Sequence, residues 1–174
     1  FSRADYCGSL PENNDKLRYG IYRASFDGET AKLGEVECVV DEHLTNKSQP
    51  FARVSPDGKY LSYTECGYGT FPMSQKDSEL KMIDLQTLNP IDMNVVNSDE
   101  VEGYHAWSSN ARWLVFGSRR LDGMYARLFF AYIDENGVAH KPFLMPQKTA
   151  DFDVLRMKAY NVPEFSKNEI RLSN

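Results

Sequence analysis

The chain has 174 residues, of which 41% are hydrophobic, 13% aromatic and 26% charged, and it carries a net charge of −5. That apolar share is enough for a core, and the absence of low-complexity tracts excludes a disordered chain. The acidic balance excludes nonspecific nucleic-acid binding, which draws its affinity from Lys and Arg on phosphates, and no apolar run approaches the roughly 20 residues of a membrane-spanning helix.

In chain order, residues 1–18 are polar, and the start at Phe1 rather than Met leads us to expect that a signal peptide or an upstream region has been removed. Residues 18–26 and 36–41 read as two strands with an Asp27-Gly28 turn after the first. Residues 60–65, 79–85 and 91–96 read as three more, with a loop over 66–78. The pattern returns at 113–118, 125–133 and 141–145, with a loop over 119–124. Tyr, Phe, Val and Leu dominate these runs and alternate with period two, as Leu114 and Phe116 do against Val115 and Gly117, so they read as strands. Turn residues punctuate them at Pro56-Asp57-Gly58, Ser109-Asn110-Ala111, Asp84 with Gln86-Thr87, and Asp134-Glu135-Asn136-Gly137.

These runs are copies of one unit. The phrase Phe51-Ala52-Arg53-Val54-Ser55-Pro56-Asp57-Gly58-Lys59-Tyr60-Leu61 has its counterpart in His105-Ala106-Trp107-Ser108-Ser109-Asn110-Ala111-Arg112-Trp113-Leu114, with Ser55 and Ser108 53 positions apart. Its opening returns in Tyr160-Asn161-Val162-Pro163-Glu164-Phe165-Ser166. A repeat of this length made of short strands marks a stacked or radial β architecture. We therefore expect an all-β protein of about three four-stranded antiparallel blades, some incomplete. They are a half blade over 17–45, blades over 49–96 and 103–145, and the start of a further blade over 160–174. Closing a β-propeller takes roughly four to eight blades, so the chain reads as a fragment of a larger ring whose missing blades come from upstream sequence or another chain. The repeated rings Tyr60, Tyr63, Trp107, Trp113, Phe116, Phe129, Phe130 and Tyr132 are expected to fill the space between blades, with Trp107 and Trp113 largely buried.

The phrases over 54–61 and 107–116 resemble the WD40-like repeats of TolB-type β-propellers. The wider stretch over 104–165, with Ser118-Arg119-Arg120-Leu121-Asp122-Gly123-Met124-Tyr125 and Asn161-Val162-Pro163-Glu164-Phe165, is similar to the C-terminal half of cell-envelope propeller proteins common in Bacteroidetes. The resemblance covers nearly the whole chain, with one departure: Ser109-Asn110-Ala111 stands where the family has Pro-Asp-Gly. It implies a non-enzymatic, protein- or ligand-binding module of the periplasm or cell envelope. The short phrase also occurs in the propellers that gate prolyl-oligopeptidase-type serine hydrolases. An accessory propeller of such an enzyme, with its catalytic domain outside this chain, is therefore the alternative.

The residues best suited to binding are Arg119, Arg120, Asp122, Tyr125 and Arg127, which gather three guanidiniums, a carboxylate and a phenol in and beside the 119–124 loop. Arg forks favour carboxylate and phosphate, so the expected guest is a small anionic ligand or an acidic protein partner at a concave patch of uncompensated charge. The same residues also suit a tight Asp-Gly turn, with Asp122 paired to Arg119 or Arg120 and holding neighbouring blades together. The glycine-rich loop over 66–73 lacks the Lys and following helix of a phosphate cradle, and its Tyr68 and Phe71 are expected to cap a channel or pack between blades. The connection over 146–160, with Asp151, Phe152, Asp153 and Arg156, is either functional or a short helix over a blade junction.

Catalysis and metal binding find no pattern. There is no GxSxG elbow, and His105 and Ser108 lie three apart on one strand, which points them to opposite faces. His43, His105 and His140 lack ligand spacing, so no metal and no cofactor are expected. Cys7, Cys38 and Cys66 form no CxxC pair. They are idle thiols, or two of them make one bridge in an oxidising compartment.

Overall fold

The structure is a computed structural model and describes residues 1–5, 7–8 and 12–169. Short runs of β-branched and aromatic residues, separated by Gly, Asp and Asn turns, fold into three antiparallel sheets. The first contains β1 (Ser2–Arg3), β2 (Gly20–Asp27) and β3 (Lys32–Val40) in that order. A single helical turn, α1 (Glu42–Thr45), leads into the second, a meander of β4 (Arg53–Val54), β5 (Tyr60–Glu65), β6 (Glu79–Asp84) and β7 (Pro90–Ile91). The third repeats the meander with β8 (Glu102–Trp107), β9 (Trp113–Ser118), β10 (Arg127–Tyr132) and β11 (Phe143–Leu144), and α2 (Phe152–Leu155) follows.

The expected strands at 60–65 and 113–118 coincide with β5 and β9. The strand expected at 91–96 shortens to β7 because the chain turns at Met93, whose carbonyl accepts from Val96 N and Asn97 N. The first sheet gains β1 from the polar opening stretch, where Ser2 pairs with Ile21 and Arg3 with Gly20. Residues 160–169 form no strand, and residues 170–174 of the expected further unit lie outside the described residues.

The serine turns repeat atom for atom. Tyr60 N donates to Ser55 Oγ and Trp113 N to Ser108 Oγ, each at 2.9 Å, while Ser55 N and Ser108 N donate back to the Tyr60 and Trp113 carbonyls. Gly58 and Ala111 close the two turns in the left-handed region, at φ +74° and +55°. Ser109-Asn110-Ala111 thus makes the Pro-Asp-Gly turn without the glycine.

Strand alternation sends Tyr60, Leu80 and Met82 to one face of the second sheet and Leu61, Tyr63 and Ile83 to the other. The first set packs against Leu114, Phe116, Phe129 and Ala131 of the third sheet, and the second against Ile21 and Val40 of the first. The second sheet therefore lies between the other two. Trp107 Nε1 donates to Ser62 Oγ at 2.8 Å across one of these junctions. The third sheet turns Trp113, Phe130 and Tyr132 away from the core, and Trp113 packs edge-on against Phe143 with centroids 6.0 Å apart. Trp113 is consequently only half-buried, whereas its repeat counterpart Tyr60 is 5% exposed under the third sheet. Trp107 is half-buried as well, and Tyr132 is exposed.

Candidate functional site

β9 and β10 bring Ser118 and Arg127 side by side at one end of the third sheet, with Glu102 of β8 opposite Ser118. Asp122 shapes the loop between them: its Oδ1 accepts from Met124 N and Tyr125 N, both at 2.8 Å, while Arg119 O accepts from Gly123 N at 2.7 Å. Gly123 sits at φ +70°, where a side chain would be strained. Partial burial works to raise the Asp122 pKa, but the two N–H donors and the nearby arginines outweigh it and hold the carboxyl below its usual range.

Arg120 turns inward. Its Nε donates to Ser118 Oγ at 2.8 Å, and its Nη2 to Glu102 Oε1 at 2.9 Å and Val96 O at 2.6 Å. The guanidinium also lies 4.6 Å from the Phe129 ring centroid. Glu102 is fully buried and accepts further bonds from Ser98 N, Ser98 Oγ and Ser118 Oγ. A buried ion pair is tolerated when its remaining lone pairs are filled in this way.

Arg127 is 1% exposed and grips the following connection. Its Nε donates to Asp153 O at 2.8 Å, Nη1 to Lys158 O at 3.1 Å and Nη2 to Arg156 O at 2.7 Å. Asp122 Oδ2 lies 3.6 Å and Asp153 Oδ1 3.8 Å from the same guanidinium, which stands 5.2 Å from the Tyr125 ring. The structure thus gathers Asp122, Tyr125 and Arg127, and puts Arg120 in a separate network around Glu102. The Arg119 Nε is buried without a hydrogen-bond partner. The expected patch of three uncompensated guanidiniums does not form, because Arg120 and Arg127 are filled by groups of their own chain. The turn reading is nearer, although Asp122 pairs with Arg127 instead of Arg119 or Arg120.

The grip of Arg127 builds a feature the sequence hinted at only through the length of the 146–160 connection. An open groove of about 650 Å³ runs along it, lined by Thr149, Asp151, Phe152, Leu155, Arg156, Met157 and Lys158. The short helix considered for this stretch is α2. Arg156 stacks on Tyr160, 4.3 Å from the ring centroid, and donates to its Oη at 2.8 Å. Val154, Leu155, Met157 and, on the 119–124 loop, Met124 all stand at least 64% exposed. The 66–78 loop joins the same end: Met73 packs with Val101 and Ala126, and Lys76 pairs with Glu100 at 2.9 Å. Its anchors are Pro72, Met73 and Gln75, whereas Tyr68 and Phe71, expected to pack, are exposed.

Elsewhere, Ser108 Oγ is engaged by Asn110 and Trp113 N, and forms no pair with His105. His105 is 1% exposed, and neither ring nitrogen has a partner at hydrogen-bond geometry. Burial pushes its pKa down to about 4, with the Ser62 backbone opposing that shift and Arg53 adding to it. His43 and His140 are exposed on the surface. Cys7, Cys38 and Cys66 are unpaired, and burial pushes the Cys66 thiol up to about 11.

No protein-family model matches the sequence, and no curated protein matches it either.

Proposed function

We propose that the chain is a segment of a TolB-like β-propeller, its three sheets the blades: a non-enzymatic module of the periplasm or cell envelope that binds a partner protein at the end carrying the 66–78, 119–126 and 146–160 connections. Support for the propeller comes from successive antiparallel sheets packed face to face in chain order. The segments that open the repeated phrases also approach one another: Phe51 meets Tyr104, and Arg53 pairs with Glu164 at 3.2 Å. The compartment rests on the resemblance of the repeated phrases.

The observation that carries the binding role is the groove, with apolar walls from Phe152, Leu155 and Met157 beside Arg156 and Lys158. Such a groove suits a protein segment that offers a bulky apolar side chain flanked by carboxylates. A small anion alone is a poorer guest, since the guanidiniums of Arg120 and Arg127 have their partners inside the protein.

Selection of peptides from a random display library on the immobilised chain tests this, followed by fluorescence anisotropy of the recovered peptides. Apolar-acidic sequences are expected, and Leu155→Asp or Met157→Asp should weaken them about tenfold or more, the equivalent of ~1.4 kcal/mol. Recovered peptides that bind both variants as well as the wild type would place the site elsewhere.

A further inference from the structure

We infer that Arg156 is the residue by which the groove selects its guest: oriented by Tyr160, its guanidinium receives an internal glutamate or aspartate side chain of the partner's segment, beside the apolar side chain taken up by Leu155 and Met157. The inference rests on the loop-end reading and deepens it, from a groove that suits apolar and acidic groups to one arginine that reads the acid.

The arginines at this end differ in what their donors meet. Arg120 is engaged by Glu102, Ser118 and Val96, and Arg127 by the carbonyls of the 146–160 connection. Arg156 lines the groove instead, and among the described residues the bond from its Nη1 to Tyr160 Oη is the one hydrogen bond its guanidinium makes. No carboxylate of the described residues pairs with it. Its other nitrogens are not among the buried, unpartnered atoms, so they reach solvent and are open to a guest.

The fork is set before a guest arrives. The guanidinium lies 4.3 Å from the Tyr160 ring centroid and 5.7 Å from that of Phe152, so an aromatic face holds its flat side. The arrangement is fastened to neighbouring residues of the third sheet: Arg156 O accepts from Arg127 Nη2 at 2.7 Å, and Tyr160 N donates to Ala126 O at 2.9 Å. Tyr160 Oη accepts from Gln147 Nε2 at 3.2 Å as well as from Arg156 Nη1 at 2.8 Å. With both lone pairs of the phenol filled, its own proton is left to donate to a third group. A guanidinium stacked by its face offers its edge, where paired N–H groups match the two oxygens of a carboxylate. Holding that edge rigid removes much of the side-chain entropy that binding would otherwise cost.

Charge and shape select the guest. In the lining, Arg156 and Lys158 outnumber the carboxylate of Asp151, which makes the groove a positive spot on a chain of net charge −5. Lys158 is exposed, and among the described residues its side chain makes no ion pair or hydrogen bond, so it steers an acidic segment without choosing its geometry. The groove is open, so a chain can pass along it, whereas a chain terminus is seated best at a closed end. The acid is therefore an internal side chain, and the walls of Phe152, Leu155 and Met157 receive its apolar neighbour.

A nuclear magnetic resonance titration of the nitrogen-15-labelled full chain tests the inference. The probes are short acetylated and amidated peptides in which a glutamate stands next to, or one or two residues from, a leucine, each beside its glutamine counterpart. The Arg156 Nε–H signal, assigned by its loss in Arg156→Lys, should shift saturably with the glutamate peptides, which should bind about tenfold more tightly than the glutamine ones. Arg156→Lys keeps the charge, loses the fork and should bring the two series level, while Lys158→Ala should keep most of the preference. Tyr160→Phe, which keeps the ring but not the oxygen that orients Arg156, should lower the preference about threefold and leave glutamine binding unchanged. Thermal melts check that the variants fold. A wild type that binds both series equally, or a folded Arg156→Lys that keeps the preference, overturns the inference. So do free-acid glutamine peptides that bind as tightly as the amidated glutamate ones, which would seat a chain terminus. Equal binding of both series that is lost in Leu155→Asp keeps the loop-end reading and removes this inference alone, whereas a wild type that binds neither series removes both.

Discussion

Phe51 and Tyr104 stand 53 positions apart, share a left-handed backbone at φ +60° and +51°, and meet edge to face with ring centroids 5.1 Å apart. Phe51 precedes β4 and Tyr104 lies within β8 at its register shift, at equivalent places of the two repeated phrases, so the pair records the repeat in backbone and in packing together. A left-handed conformation costs a non-glycine residue about 1–2 kcal/mol, and the T-shaped contact returns about 0.5–1.5 kcal/mol beyond the buried area. A double-mutant cycle of Phe51→Leu and Tyr104→Leu should give a coupling of about 1 kcal/mol in chemical denaturation. Purely additive losses would show that the rings do not meet.

Gly137 closes the β10–β11 turn at φ +82°, and a Cβ there would come within 2.9 Å of Tyr60 ring atoms across the sheet junction. Gly137→Ala should destabilise by about 1–3 kcal/mol, since both the backbone and the packing oppose it. A midpoint equal to the wild type would mean that the turn does not lie on Tyr60.

Arg127 holds three carbonyls of the 146–160 connection, an arrangement a lysine ammonium cannot copy. Arg127→Met should cost about 3–5 kcal/mol, because it leaves Asp153 buried beside no cation. Arg127→Lys should also release residues 149–160 to fast amide hydrogen exchange, with β5 and β6 still protected. Unchanged protection over 149–160 in Arg127→Lys would refute the grip.

How much of this was legible in the sequence differs by element. β5 and β9 could be read because period-two alternation and a turn at each N-terminal end both mark them. β1 could not, since a two-residue strand carries no period and is held by backbone pairing with Gly20 and Ile21. Trp113 departs from the expected burial because alternation tells which residues share a face but not what covers it, and among the described residues that face is met by Phe143 and the 160–166 phrase. The arginine cluster was visible as composition. Its purpose was hidden, because the acceptors that engage Arg127 are main-chain carbonyls of Asp153, Arg156 and Lys158, which no residue type announces.

His105 makes the protein sensitive to acid. Its imidazole titrates near the ordinary 6.5 when the chain is unfolded and near 4 when folded, so the unfolded state takes up the proton first. The contribution is intact above pH 6.5 and is lost as pH falls to about 4, on the order of 3 kcal/mol in all. His105→Leu should flatten the pH dependence of stability in that window relative to the wild type. Parallel profiles for the two proteins would contradict a neutral buried ring.

The stacking order of the sheets underlies the repeat, the placement of the groove and the open face of the third sheet, and the Trp107 indole reports it. Its Nε1 donates to Ser62 Oγ at 2.8 Å across the junction of the second and third sheets. A nuclear Overhauser spectrum of the isotopically labelled chain should show the Trp107 indole proton close to the Ser62 side chain and slow to exchange with water. An indole proton that exchanges freely and shows no contact with Ser62 would contradict the stack of three sheets.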